Sequence, residues 1–242
     1  MNGLIVIPVF NEERNVGSVL ARIRAARCVE PVLVVDDGST DGTARAARAG
    51  GADVIAHPRN LGYAQALQTG IRFAVERAYD YLIFLDGDGQ HDPGDVAALR
   101  ACALANDGPD IVIGSRFVER SRYRAPPLRK VGMLLSSWLT AIVGGRRVYD
   151  TTSGFKLLRR RALALLSRHR FGDFHADMII FSLVAGLSVR EVPVHVSERQ
   201  FGASMYTKLG SARYLVRTLT AIALVLPAAR RERRSLRHTA TA

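Results

Sequence analysis

The chain has 242 residues, 48% of them hydrophobic and 23% charged, with a formal charge of +12. This composition excludes a disordered chain and leaves room for one sizeable core. Two widely separated cysteines, Cys28 and Cys102, exclude a disulfide framework and a C-x-x-C zinc site, and the basic excess favours an anionic partner. Aromatics make up only 7%, and no motif interleaves them with arginines, so nucleic acid is not the expected partner.

Strand and helix patterns alternate from the start. "GLIVIPVF" (3–10) reads as a strand and "EERNVGSVLARIRAA" (12–26) as a helix; "PVLVVDDG" (31–38) is a strand and "TDGTARAARAG" (40–50) a helix that Ser39 or Thr40 can cap. "DVIAHP" (53–58), "GYAQALQTGIRFAVERA" (62–78) and "YLIFLDGDG" (81–89) continue the series as strand, helix and strand, followed by the helix "GDVAALRACALAN" (94–106) and the strand "DIVIGSRF" (110–117). Such alternation with short connections predicts an α/β fold, a mostly parallel sheet with helices on both faces. Ligands then bind beyond the carboxyl ends of the strands. Asp36, Asp37, Asp86, Asp88, Ser115 and Arg116 all fall at that edge.

After residue 116 the texture changes. "RFVERSRYRAPPLRK" (116–130) is basic and broken by proline, as a loop would be, and 131–143 is apolar on one helical face. "DTTSGFKLL" (150–158), a helix around "ADMIIFSLVAG" (176–186) and the strand "VREVPVHV" (189–196) follow. A last amphipathic helix over 213–226 is expected to stop near Pro227 and give way to a basic tail. No stretch reaches the roughly 20 apolar residues of a spanning helix, and no basic leader opens the chain.

"LDGDGQHDP" (85–93) raises the sharpest chemical question, because carboxylates this close repel unless a proton or cation lies among them. In an extended stretch Asp86, Asp88 and Gln90 point to one side, and two carboxylates with an amide oxygen suit Mg²⁺ or Mn²⁺, substrate phosphates completing the shell. An EF-hand loop is excluded by His91 at its sixth position and Ala97 at its twelfth. An aspartyl phosphatase is disfavoured by the mid-chain position, and a solvated acidic turn is the plain alternative. In "VVDDGSTDGT" (34–43), Asp36 or Asp37 accepts hydrogen bonds from a ribose or base edge, unless the segment is only a capped turn. Neither a G-x-G-x-x-G nor a G-x-x-x-x-G-K-[ST] fingerprint occurs. His91, His175 and His195 lack metal-ligand spacing and read as structural.

"IPVFNEE" (7–13), "VVDDGSTDGT", "NLGYAQALQTG" (60–70), "LDGDGQHDP" and "GSRF" (114–117), in this order, resemble the family 2 inverting glycosyltransferases. Within that family, "DTTSGFKLL" and "EVPVHVSERQFGASMY" (191–206) resemble the dolichyl- and polyprenyl-phosphate sugar transferases. The resemblance implies a GT-A fold, and a donor that is a nucleotide diphosphate-sugar of the GDP-mannose or UDP-glucose type. It implies that Pro8, Phe10, Glu12, Asp36 and Asp37 hold the nucleoside and that Asp86, Asp88 and Gln90 hold Mg²⁺ or Mn²⁺ on the diphosphate. Arg116, Arg129 and Arg199 are implied to hold donor or acceptor phosphate, Arg199 with the strongest claim. Two departures stand out: Met133 replaces the serine of R-x-x-x-S after Arg129, and Met205 replaces the lysine after "GAS". No Q-x-x-R-W motif occurs, so one sugar per turnover is expected.

A phosphate acceptor is already largely anionic at neutral pH and needs no base, whereas an alcohol does; Asp177 is then the candidate base, with Asp173 next. Asp150 reads as a possible helix cap. These readings predict a GT-A catalytic domain over 1–210 (donor half 1–117, acceptor half 118–210) and a membrane-peripheral amphipathic helix and basic tail over 211–242. The expected partners are the donor, a polyprenyl-phosphate or other lipid-linked acceptor, and the cytoplasmic face of a membrane, met directly or through a small membrane protein. The alternatives are transfer to a glycan or lipid-linked saccharide hydroxyl, and a non-catalytic nucleotide-sugar-binding subunit at the membrane.

Overall fold

The computed structural model describes residues 1–118, 127–197 and 210–240, without the side chains of 127–132, 210–218 and 236–240. Arg199 therefore lies outside the described residues, and so does the side chain of Arg129.

Seven strands form one sheet: β1 (Gly3–Val9), β2 (Val32–Asp36), β3 (Asp53–Ala56), β4 (Tyr81–Phe84), β5 (Ile111–Ser115), β6 (Lys156–Arg159) and β7 (Val189–Pro193), in the order β3-β2-β1-β4-β6-β5-β7. All pairings are parallel except those of β6, which runs antiparallel between β4 and β5. Because side chains alternate along a strand, each apolar run feeds two cores. Ile5 and Ile7 of β1 pack with Val16, Leu20 and Ile23 of α1 (Glu13–Ala25), Ala47 of α2 (Thr43–Ala49) and Leu99 of α4 (Val96–Leu104). Leu4 and Val6 face the opposite core, with Leu67 and Ile71 of α3 (Tyr63–Glu76), Leu163 of α6 (Arg160–Leu166) and Phe181 of α7 (Ala176–Ala185).

Two further helices, α5 (Pro127–Gly144) and α8 (Gly210–Ala240), lie on the α7 side. The expected stop at Pro227 does not occur, since α8 runs through it. Proline there removes one helical hydrogen bond, to the carbonyl of Ala223. Both residues are exposed, so water can replace the bond, while Ile222 and Ala229 stay buried and hold the helix on either side. Among the described residues no helix is long and apolar enough to cross a membrane.

Candidate functional site

Parallel pairing brings the ends of β2, β1 and β4 side by side. Pro8 and Val9 lie opposite Val35 and Asp36, and the Asp37 amide donates to the Val9 carbonyl at 2.8 Å. Beyond β4, Gly87 packs against Val9 and against the Pro8 carbonyl, which a Cβ would approach to 3.3 Å. Pro8 is buried, Phe10 is 41% exposed at the crevice edge, and Glu12 sits at the start of α1, its Oε2 accepting from the Asn15 side-chain Nδ2 at 2.5 Å. The first group of predicted residues is thus brought to one edge.

Asp37 is committed to the protein itself. Its Oδ1 meets His57 Nδ1 at 2.7 Å and the Leu61 amide at 2.9 Å, and its Oδ2 accepts from the Gly62 amide at 2.8 Å. This carboxylate ties the loop before α3 to the sheet. Asp36 accepts from the Ser39 amide at 3.0 Å and is also buried. The expected Ser39 or Thr40 cap is absent: Asp41 accepts the Thr43 amide at 3.0 Å, while Ser39 accepts the Asn11 amide at 2.9 Å. Asp41 prevails because it stands two residues before the first helical amide.

The acidic segment is a turn, not the extended run read from sequence. The strand ends at Phe84, and Gly89 takes a left-handed φ of 75° that a side chain would disfavour. Asp88 Oδ1 accepts the Gln90 amide at 3.1 Å, and the Gln90 side chain donates to the Ser197 carbonyl at 3.4 Å. Asp86 is gripped on both oxygens: the Tyr63 hydroxyl donates to Oδ1 at 3.0 Å, and His91 Nε2 lies 3.3 Å from Oδ2. A Cβ on Gly154 would overlap the same carboxylate, so the "TSG" turn leans on it as only glycine can. Burial alone would raise the Asp86 pKa. The His91 hydrogen bond and charge, the Tyr63 hydroxyl and the Lys156 ammonium outweigh it and hold the carboxyl well below its usual range.

Lys156 starts β6 and is almost wholly buried; its ammonium donates to the Ser153 carbonyl. Burial lowers its pKa to about 8 against the opposing pull of Asp86 and Asp150. His175 stacks on Tyr63, with ring centroids 5.8 Å apart, and is driven down to about 4, first by burial and then by the Lys156 charge.

Arg116 is brought to the same edge with its fork already engaged. Nε and Nη2 donate to the two oxygens of Asp150 at 2.8 and 2.7 Å, and Nη2 also reaches Thr152 at 2.8 Å. Asp150 is therefore the buried partner of Arg116 and not a helix cap. Asp177 is 1% exposed and accepts four backbone amides: Gly172 and Asp173 on Oδ2 at 2.8 and 3.2 Å, His175 and Met178 on Oδ1, both at 2.9 Å. Asp173 lies in that same loop.

Sequence reasoning missed Tyr63, Gly154 and Lys156, although each stands inside a quoted motif, and it set His91 aside as structural. Motif membership was the available signal. Their contacts with Asp86 come from chain separations of 23 residues for Tyr63 and 5 for His91, which no local pattern exposes.

Among the described residues no three His, Cys, Asp or Glu side chains gather as a metal cage. A Mg²⁺ or Mn²⁺ ion that takes part of its shell from substrate phosphates and water needs fewer protein ligands than such a cage.

The family model for glycosyl transferase family 2 matches residues 4–166. The polyprenol monophosphomannose synthase of Mycolicibacterium smegmatis is 31% identical over 212 residues, spanning 83% of this chain and 79% of that protein. The undecaprenyl-phosphate mannosyltransferase of Micrococcus luteus is 33% identical over 214 residues, spanning 84% and 87%. A crystal structure of glucosyl-3-phosphoglycerate synthase from Mycobacterium tuberculosis, with Mn²⁺, UDP and glucosyl-3-phosphoglycerate, has the same fold. Its TM-score is 0.67 at 22% identity, covering 91% of this chain and 79% of that one. The chain belongs to glycosyl transferase family 2 and is a glycosyltransferase with the GT-A fold.

Proposed function

We propose that this enzyme moves one hexose, with inversion, from a nucleotide diphosphate-sugar of the GDP-mannose or UDP-glucose type to a polyprenyl phosphate at the cytoplasmic face of a membrane. The observation that carries this reading is the doubly held Asp86 carboxylate at the tip of β4, beside the Pro8–Phe10 and Asp36–Asp37 strand ends. The acceptor rests on relatives that are a polyprenol monophosphomannose synthase and an undecaprenyl-phosphate mannosyltransferase.

In this reading Asp86, Asp88 and Gln90 hold Mg²⁺ or Mn²⁺, which when bound neutralises charge on the leaving diphosphate. Tyr63 and His91 fix the ligand carboxylate before the donor arrives, so little ordering remains to be done on binding. Phe10 and Glu12 line the nucleoside end. Asp36 and Asp37 shape it, Asp37 through the 57–62 loop. Arg116, paired with Asp150, orders the floor of the crevice, while Arg129 and Arg199 are assigned to phosphate.

A phosphate acceptor attacks through an oxygen that is already anionic, so no base is needed. The four amides on Asp177 favour that acceptor over a hydroxyl, because a carboxylate held this way organises a loop and is poorly placed to take a proton. Residues 1–117 serve as the donor half, 118–210 as the acceptor half, and 211–242 as the membrane-facing helix, alone or with a small membrane protein.

The test is to incubate the enzyme and polyprenyl phosphate with a panel of labelled nucleotide sugars and Mn²⁺. Label entering the organic phase from one donor is the expected result. Transfer only to saccharide hydroxyls would replace the acceptor assignment.

A further inference from the structure

The C-terminal turns of α5 and α7 and the middle of α8 enclose a cleft of about 550 Å³, apart from the carboxylate crevice. Val143, Leu183 and Leu226 form an aliphatic wall, and Arg230, Arg233 and Arg234 stand along it. Spacings of three and four residues put these three guanidiniums on one face of α8. All three are exposed. Among the described residues none of them makes an ion pair or a hydrogen bond, and the neighbouring acid, Glu232, faces His169 at 3.0 Å. Three like charges therefore line a cleft that also has an aliphatic wall, without an internal counter-charge, an arrangement that a bound anion would stabilise.

The surroundings indicate what kind of anion. Ile142, which lines the cleft, and Trp138 one turn before it on α5 are 76% and 53% exposed. A soluble anion would leave these side chains and the aliphatic wall in water. An anionic amphiphile covers both, with its acidic group on the arginines and its carbon skeleton on the apolar surface. A nucleic-acid backbone would match the charge and leave the apolar half bare.

We propose that this cleft binds the headgroup of an anionic phospholipid of the membrane surface, as a site separate from the acceptor's. It rests on the reading of 211–242 as the membrane-facing helix and does not depend on which sugar moves. The separation follows from α7. Asp177 lies in the first turn of that helix, and Leu183 lies six residues further on, about 9 Å along the axis at ~1.5 Å per residue. An acceptor phosphate must touch the reacting sugar, whereas the cleft is lined by the opposite end of α7 and by none of the residues that surround Asp86. The bound lipid is a bystander that anchors the end of the α5–α7–α8 layer.

The experiment is co-flotation of the full chain with phosphatidylcholine vesicles, with and without phosphatidylglycerol. The parent chain is expected to bind only the anionic vesicles. Replacing Arg230, Arg233 and Arg234 together by Gln should lower partitioning by roughly 100-fold, the product of three basic contacts at an anionic leaflet. A control with the same charge change at exposed Arg27, Arg48 and Arg72 should lower it less than about threefold, as expected for long-range charge alone. Millimolar inorganic phosphate should not displace the protein. Equal losses in the two triple variants, displacement by phosphate, or binding of duplex DNA in place of vesicles would each overturn the site. Transfer to a water-soluble, short-chain prenyl phosphate should survive in the cleft variant, so failure of the lipid site and failure of the transferase reading give different results.

Discussion

Tyr63 donates its hydroxyl to Asp86 across 3.0 Å, linking the first residue of α3 to the carboxylate just past the end of β4. The bond fixes the rotamer of the proposed metal ligand before any ligand arrives. Removing the hydroxyl with Tyr63→Phe keeps the ring that stacks on His175 and loses only the bond. A hydrogen bond to a charged group contributes roughly 1.5–3 kcal/mol, so the Mn²⁺ concentration for half-saturation should rise at least about tenfold. Titrating Mn²⁺ by electron paramagnetic resonance in the presence of nucleotide diphosphate reads this directly. An unchanged titration would remove Tyr63 from the site.

Gly154→Ala should be more damaging to activity than its size suggests. The added methyl overlaps the Asp86 carboxylate, so either the carboxylate or the turn must move. An ångström of displacement at a site of this kind costs on the order of 100-fold in turnover. Thermal unfolding should remain cooperative, showing that the loss is local. Full activity would mean that Asp86 need not stay where the structure puts it.

Breaking the Arg116–Asp150 pair should act through stability. Both side chains are buried and bonded through two parallel contacts. Asp150→Asn leaves the guanidinium without its counter-charge, at a cost of about 3–5 kcal/mol. Urea midpoints of the two chains test this, and a loss below about 1 kcal/mol would mean that the guanidinium finds another partner or water.

For Asp177, substitution by Asn separates a loop organiser from a base. One oxygen becomes an amide that cannot accept, so two of the four backbone amides lose their partner. Stability should fall by about 2–4 kcal/mol, and transfer should drop with every acceptor. A stable variant that had lost transfer to hydroxyl acceptors alone would restore the base assignment.

His175 supplies a pH signature. Its folded pKa of about 4 lies below the ordinary 6.5, first because of burial and then because of Lys156. Between these values the unfolded chain binds a proton that the folded chain refuses, so stability is full above about pH 6.5 and falls as pH drops toward 4. The loss from this ring alone is about 3 kcal/mol. Stability measured against pH in His175→Phe should show a shallower acid limb than the parent chain, and parallel limbs would contradict the assignment.

Fold class was legible because it follows from local periodicity: apolar runs of strand length alternate with amphipathic helices, and the sheet has the expected helices on both faces. The acidic edge was legible for the same reason, since strand ends are where apolar runs stop. The course of the last helix was not. Pro227 is a local signal to end, and the burial of Ile222 and Ala229 overrides it.

The amino-acid order by itself determined the strand–helix alternation, the placing of Asp36, Asp37, Asp86 and Asp88 at strand ends, and membership of the family, all properties of neighbouring residues. Only the tertiary structure decided what each carboxylate does. Asp86 is held by Tyr63 and His91, Asp37 is spent on a loop, Asp150 balances Arg116, and Asp177 gathers amides. A carboxylate's role depends on which donors lie within about 3 Å of it, and those donors arrive from distant parts of the chain only when the sheet assembles.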